Sequence, residues 1–591
     1  MYHGNLVSEK ALKMQLHLLL LGATGYVPSA TRLHWPTRTA RARPAESLAA
    51  NLKAVVVGAG PAGLASAWVL AERGFDVTVL ERRAEYAIST QTRDWRLVAV
   101  LLTVLISNLG LVRPSPYESQ KAYLYLVDGR GQRFTDMAGL TGKLASPELS
   151  VSSLNYTVTR IMPDGERVVA VPPILEPMDP VLGRPSYWIP RAALLGLLAG
   201  ALPPSVRTEY GSNVHELRSM GPQDGAGDDG GGLEIDATLA DGTPLRLEAD
   251  LLIGADGLQS VVREKCVEWS GDAAGFTPVS LPSPSSGLAY KMLRLPARFR
   301  LSSDNASDTA EGRQAYSVRP ADDAPLGKVR LGLLPVADPN FPRTANVILP
   351  PNHPVWALKT AEAVREWLRA TFPSLPIDEI VDDAEAEAFA AGDPGTFPEP
   401  CYSPRQQLLL PSGAGVCLVG DSIHAFPPDI GQGVNAALSS VMHLAHALDE
   451  ASASMTDDES PALPAAAPPP RKLLRHALPG YGRACAPEAE AVARIAQIGF
   501  PFQYPITRER NPLARPMWFA NFLCRTFVLS KLAPRFFSPA AIVLVQRSHL
   551  SYTEVWAQAQ STTRKLRAIV ALAVLAAAWR ALQLLVMPIP V

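Results

Sequence analysis

The chain has 591 residues, enough for about two to four domains at ~150 residues each, and its 47% hydrophobic and 19% charged content fits a globular protein with a sizeable core. A formal net charge of −1 argues against a broad basic surface, and so against nucleic acid as a partner. The five cysteines (Cys266, Cys401, Cys417, Cys485, Cys524) show no C-x-x-C spacing, so no metal site and no disulfide framework is expected, and each reads as a small core residue.

The N-terminal 1–50 stand apart. No acidic residue occurs between Lys10 and Glu46, while Lys13, Arg32, Arg38, Arg41 and Arg43 are basic. This is the composition of an organelle transit peptide, for chloroplast or mitochondrion. A disordered extension is the alternative, and LHLLLLG (16–22) is a weaker candidate for a secretory segment.

Residues 54–81, AVVVGAGPAGLASAWVLAERGFDVTVLE, read as strand, glycine turn, helix and second strand. Gly58 suits the tight turn, Gly60 allows a pyrophosphate close to the backbone, and Gly63 lets helix and strand approach. The helix N-terminus adds partial positive charge toward phosphates. Glu81 ends the second strand about 20 residues on, where an acid accepts hydrogen bonds from ribose hydroxyls. Arg82 beside it is a further cofactor-binding candidate. The bland reading is a glycine turn in a βαβ unit without ligand.

RDWRLVAVLLTVLISNLGLV (93–112) is an apolar run with an uncharged part short of the about 20 residues a span needs, and is expected in the core. YWIPRAALLGLL places Arg191 at the start of a helix. DGAGDDGGG (224–232) reads as a flexible loop. DLLIGADGLQSVVR (250–263) repeats the pattern of strand, glycine turn and helix, with Asp256-Gly257 in the turn. VCLVGDSIHAFPPDIGQGVNAAL (416–438) is a strand, Gly420-Asp421, a Pro/Gly loop and the start of a helix. ASASMTDDESPALPAAAPPP (451–470) has the composition of a disordered insertion. Near the C-terminus RKLRAIVALAVLAAAWRALQLLV (564–586) is an apolar helix interrupted by Arg580 and Gln583. Spanning a membrane with Arg580 snorkelling, lying at an interface, and docking on the protein all remain open, with membrane association favoured.

Three motifs in this order, GAGPAG, GADG and GDSIHAFPPDIGQGVNAA, resemble the single-component FAD-dependent aromatic monooxygenases with the para-hydroxybenzoate hydroxylase fold. The resemblance covers about 52–450. GQGVNAAL and GLAYKMLRLPA (287–297) look most like the kynurenine 3-monooxygenase branch, which also carries a helical C-terminal part ending in a membrane-associating segment.

The resemblance implies an α/β fold: a three-layer, Rossmann-like FAD/NAD(P)-binding domain interleaved with an α+β substrate domain built on a β-sheet, plus a helical C-terminal part. FAD-domain segments fall at 52–135, 186–268 and 401–450, substrate-domain segments at 140–185 and 270–400, and the helical region at 471–591. By match of motif, Glu81 would hold the adenosine ribose and Arg191 the diphosphate region. Asp256 and Gly257 would serve FAD and NADPH, and Asp421 the ribityl chain. Pro428, Gly431, Gly433, Val434 and Asn435 would form the loop under the flavin ring. FAD is the expected cofactor, with NAD(P)H and O2 as co-substrates. The implied reaction is hydroxylation of an aromatic or similar small molecule through a hydroperoxyflavin.

Departures keep other readings open. The run at 93–112 replaces a regular helix, Ser439 and Ser440 stand where the family has an acidic pair, and ARIAQIGFPFQYP (493–505) lacks an acid that kynurenine enzymes place near substrate. A reductase or epoxidase of the same fold acting on a prenyl or lipid substrate, or an inactive FAD-binding protein, would share the motifs. No catalytic acid or base can be named. His424 has no ligand partners in sequence and reads as structural. Tyr290 and Lys291 fit a substrate-domain strand, where simple alternation of faces accounts for them equally.

Overall fold

The β-branched run after Leu52 forms the strand Lys53–Val57, at the heart of a six-stranded sheet. The computed structural model describes residues 52–83, 124–155, 157–170, 177–221, 232–302, 307–339, 341–457, 471–504 and 512–586. In sheet order the strands are Gln407–Leu409, Gly415–Leu418, Leu251–Gly254, Lys53–Val57, Asp76–Glu81 and Arg207–Tyr210. Every neighbouring pair is parallel except Gln407–Leu409 against Gly415–Leu418. Parallel strands need both faces covered, and Val55, Val56, Leu251, Leu252, Ile253, Val416 and Cys417 are all buried.

Register decides where the motifs emerge. Val57 pairs with Gly254, and Gly254 with Leu418, so three strands end at one level. The turns that follow, GAG, ADG and GDS, therefore stand side by side at the carboxyl edge of the sheet, where ligands bind in open α/β folds.

The seven-stranded second sheet runs Gly395–Thr396, Ala289–Leu295, Arg343–Leu349, Leu331–Leu333, Ala315–Val318, Val158–Ile161 and Arg167–Ala170. It has its own core, including Leu293, Val347, Trp367 and Phe389. Tyr290 and Lys291 sit on the same strand and face opposite ways, as alternation requires. The Lys291 ammonium is buried against Phe389, donating to its carbonyl at 2.6 Å, whereas the Tyr290 ring lies 5.1 Å from that of Phe397.

Several expectations need correction. The segment 140–185 does not belong wholly to the substrate sheet: Val151–Ser152 pairs with Tyr187–Pro190, which pairs with Leu124–Val127 in a separate small sheet. The helix Gly433–Asp457 continues through 451–457, expected in the disordered insertion, because Ala451 and Met455 still bury a face in the core. Cys524 is exposed, at the start of a π-helical turn, unlike the four buried cysteines. The expectations for 1–50, 93–112, 224–231 and 458–470 lie outside the described residues.

After Gly433–Asp457, the helix Arg471–Ile498 packs against it and against the last helix, Tyr552–Val586. Tyr552, Val555, Ala559 and Thr562 of that last helix are buried, and from Ile569 to Gln583 every residue is exposed.

Candidate FAD site

Gly58 adopts φ +104°, and a side chain there would overlap the carbonyl of Ala255 in the neighbouring turn. A methyl at Gly63 would overlap the carbonyl oxygen of Gly58. Internal packing thus demands both glycines. Gly60 is different: it caps the helix Pro61–Ala71, and a Cβ there would meet nothing within 4 Å. Nothing among the described residues asks for a glycine at that spot, whereas a phosphate group brought onto the helix N-terminus would. Glu81 faces the same turn. Its carboxylate accepts the Ala59 N–H at 2.7 Å and the Arg83 N–H at 2.9 Å, leaving lone pairs for ribose hydroxyls. Arg82 is exposed beside it.

The second turn is bonded to the third. Arg263 donates to the Ser422 carbonyl at 2.8 Å and to the Leu258 carbonyl at 2.7 Å, while the Ser422 hydroxyl donates to Gly254 at 2.7 Å. Asp256 accepts the Val262 N–H through Oδ2 at 3.2 Å, but its Oδ1 is buried with no partner among the described residues. Burial accordingly holds this carboxyl above the usual aspartate range. A buried acceptor left open at the edge of a dinucleotide cradle is what a cofactor hydroxyl would satisfy. Gly257 next to it needs its φ of +85°.

Gly420 has φ +62°, and a Cβ on it would come within 2.9 Å of that of Ala62, so the third turn sits on the first helix. Asp421 is exposed between buried Gly420 and Ser422. In the loop that follows, Pro428 and Gly433 are exposed, Gly431 has φ +64°, and Cβ atoms at Gly431 and Gly433 would meet nothing. Val434 and Asn435 point the other way. Val434 joins the core, and Asn435 is fully buried, accepting the Asp128 N–H at 3.0 Å and donating to the Leu126 carbonyl at 2.9 Å. Any contact of these two with a flavin is confined to their backbone. Arg191 opens the helix Arg191–Ala199, which packs on Pro61–Ala71.

His424 turns away from this surface. It is buried, its Nδ1 has no partner among the described residues, and burial lowers its imidazole to about 4, so it is neutral. It lines a small, partly open pocket with Ser439, His443, Glu488 and Tyr552. Ser440 joins two parts of the site. Its hydroxyl accepts the Gly420 N–H at 3.0 Å and donates to Ala437 at 2.6 Å, pinning the third turn to the loop helix.

Sequence reasoning missed a buried cluster beneath the loop. Asp128 caps the helix Gly129–Met137 and bonds Arg130 at 3.0 Å, Gln432 donates to Asp128 at 3.1 Å, and the Tyr552 hydroxyl donates to Gln432 at 2.8 Å. The signal was VDGRGQ (127–132), two glycines bracketing an arginine after an apolar strand. Gly131 is needed there, since its Cβ would lie 2.6 Å from Asn435 Oδ1. Asp429 was also missed.

Open glycines, an orphaned buried carboxyl oxygen and an acid at the second strand's end all fit a bound dinucleotide. Comparison with known proteins points the same way. Residues 53–143 match a family described as FAD dependent oxidoreductase, and 407–459 one described as FAD binding domain. The FAD-dependent monooxygenase esdpE of Penicillium shearii is 24% identical over 412 residues, 68% of this chain and 69% of the relative. Kynurenine 3-monooxygenase of Salinispora tropica is 25% identical over 394 residues, 65% and 70% of the two chains. The chain is thus similar to FAD-dependent monooxygenases over about two thirds of its length and carries two matches to FAD-binding families.

The fold agrees. A solved aklavinone-11 hydroxylase, in complex with FAD and aklavinone, superposes with TM-score 0.50 at 19% identity, covering 76% of this chain and 68% of that one. The two halves of the candidate FAD site are brought together by the parallel register of Lys53–Val57, Leu251–Gly254 and Gly415–Leu418.

Proposed function

We propose that the protein uses NAD(P)H and O2 to hydroxylate an aromatic small molecule held between the flavin loop and the seven-stranded sheet. The observation that carries this reading is a run of aromatic rings at that junction. Tyr290 on the sheet lies 5.1 Å from Phe397, and Phe397 lies 5.8 Å from Tyr504, which reaches the loop from the C-terminal region. Such a wall suits a flat apolar substrate and keeps water from it. Relatives named for kynurenine and aklavinone support an aromatic substrate class.

Bound FAD supplies the activation of O2 once reduced. The chain's own part is orientation and electrostatics. Gly433 opens a 25-residue helix whose free N–H groups place partial positive charge at the loop, where they would stabilise negative charge on a bound cofactor ring. Glu81 and the turn at Gly60 would hold the other end of the dinucleotide.

The exposed apolar part of the last helix supports membrane attachment. Tyr552–Gln583 is the single helix among the described residues long and apolar enough to cross a membrane, and its most apolar window is 0% buried. Ile569, Val570, Leu572, Leu575 and Trp579 would otherwise face water. The acid-poor N-terminal 1–50 support an organelle address.

The deciding test is NAD(P)H oxidation by flavin-loaded protein with and without a panel of aromatic compounds. Substrate-stimulated consumption coupled to oxygen incorporation is expected. If FAD binds and neither NADH nor NADPH ever reduces it, the reading fails.

A further inference from the structure

Asp429 sits in the single 3-10 turn Pro428–Ile430, between exposed Pro428 and the left-handed Gly431. Its side chain nevertheless turns inward and is only 6% exposed. One carboxyl oxygen takes a short hydrogen bond from the Ser285 hydroxyl, on the segment leading into the strand Ala289–Leu295. Ser283 Oγ stands 3.0 Å from Ser285 Oγ, so the serine pair is ordered around the acid. The other oxygen, Oδ1, is buried without any hydrogen-bond partner among the described residues. Tyr504, the end of the aromatic run, is near enough for the Asp429 charge to push its phenol above the usual range, after the larger effect of burial.

A folded chain does not leave a buried carboxyl oxygen open without cost. Hydroxyl and amide donors are plentiful in a polypeptide, yet among the described residues none is turned toward this one. The oxygen belongs to a side chain beside Tyr504 of the aromatic run, and in its ionised form it accepts a hydrogen.

Resting on the aromatic substrate reading above, we propose that Asp429 determines specificity by accepting a hydrogen bond, through Oδ1, from a hydroxyl or amino group borne on the substrate ring. The bond would orient the ring in its own plane, with Tyr290, Phe397 and Tyr504 as its wall and Ser285 holding the carboxylate. It would also leave more electron density on the ring, which favours attack by electrophilic oxygen. Burial pushes the Asp429 carboxyl up to about 7, so above that pH it is ionised and a stronger acceptor than an ordinary surface carboxylate.

The test uses full-length, FAD-loaded protein and binding read from perturbation of the flavin absorbance. The probes are matched sets on phenyl, benzoate and naphthyl scaffolds carrying hydroxyl, amino, methoxy or dimethylamino groups. Wild type is expected to bind the hydroxy or amino members about tenfold tighter than their methylated counterparts, the scale of a hydrogen bond to a charged group. The hydroxy and amino arms then show which donor is preferred. The isosteric variant Asp429→Asn, checked for full flavin content, is expected to reduce that discrimination to less than about threefold.

Equal binding of methylated and unmethylated probes by wild type overturns the proposal without recourse to any variant. So does unchanged discrimination in flavin-loaded Asp429→Asn. Binding without donor preference leaves the aromatic reading standing, whereas a loaded flavin that responds to no aromatic probe removes both.

Discussion

The phenolic hydroxyl of Tyr552, at the base of the last helix, donates to Gln432 Oε1 at 2.8 Å, within the loop between Gly431 and Gly433. The guanidinium of Arg130 lies 4.7 Å over the Tyr552 ring and bonds the carbonyls of Val545, Arg547 and Leu550. The segment that enters the C-terminal helix is thereby tied to the flavin loop. Tyr552→Phe keeps the ring and removes the bond, at a cost of about 1 kcal/mol, because Gln432 Oε1 keeps a longer bond from Arg130 at 3.4 Å. Urea unfolding of the apoprotein should show that loss, and titration with FAD should show several-fold weaker binding because the loop is less firmly held.

Two glycines of the first turn are expected to fail in different ways. Gly63→Ala drives a methyl into the Gly58 carbonyl, so the apoprotein itself should be destabilised. Gly60→Ala meets nothing among the described residues and should leave apoprotein melting unchanged, while obstructing close approach of a pyrophosphate. Thermal melts of both apoproteins beside FAD titrations separate the two roles. A Gly60→Ala variant that binds FAD as wild type does would remove the turn from the cofactor site.

Arg130 and Asp128 are both buried, at 1% and 3% exposure. Removing one partner strands the other, so Arg130→Ala should cost about 3–5 kcal/mol in urea unfolding. The double change Arg130→Met with Asp128→Asn should recover part of that, since it removes both charges and keeps volume. No recovery would mean that the contacts of Arg130 to the three C-terminal carbonyls outweigh its pairing with Asp128.

Much of the site could be read from the sequence because glycines at turns have few alternative uses. Gly58, Gly63 and Gly420 meet steric demands, Gly431 meets a left-handed backbone, and Gly60 and Gly433 leave open space on the side where a cofactor would approach. The residues that escaped notice are those whose role is set by distant chain. Nothing near Asp128 in sequence announces Gln432, and the hydrogen bond of Ser440 to Gly420 exists only because the loop helix returns to the third turn. Asn435 shows the converse: its place in the motif suggested a flavin contact, while its side chain is wholly used in holding Leu126 and Asp128. The order of strands, with Leu251–Gly254 beside Lys53–Val57, likewise rests on pairing between segments far apart in the chain.

Truncation before Ile569 removes a stretch in which every residue from Ile569 to Gln583 is exposed. The buried anchors Tyr552, Val555, Ala559 and Thr562 stay in place, so folding and FAD content should be unchanged. Co-flotation with phosphatidylcholine vesicles is expected for the full chain and should be lost on truncation. Vesicle binding that survives would place the membrane contact elsewhere.

Asp429 and His424 should impose opposite pH slopes on stability. Burial raises the Asp429 carboxyl from 3.8 to about 7, so the folded state holds its proton more tightly and stability falls as pH rises across that window. Burial lowers the His424 imidazole from 6.5 to about 4, so the unfolded state binds the extra proton and stability rises with pH up to 6.5. At 1.36 kcal/mol per pH unit the two contributions are about 4 and about 3 kcal/mol, and in wild type they largely offset each other. Urea unfolding of apoprotein between pH 4 and 7 exposes them as differences from wild type, in which the remaining titrating groups cancel. Relative to wild type, Asp429→Asn should gain stability as pH rises, and His424→Asn should lose it. Flat difference profiles for both variants would mean that neither group is desolvated as its burial implies.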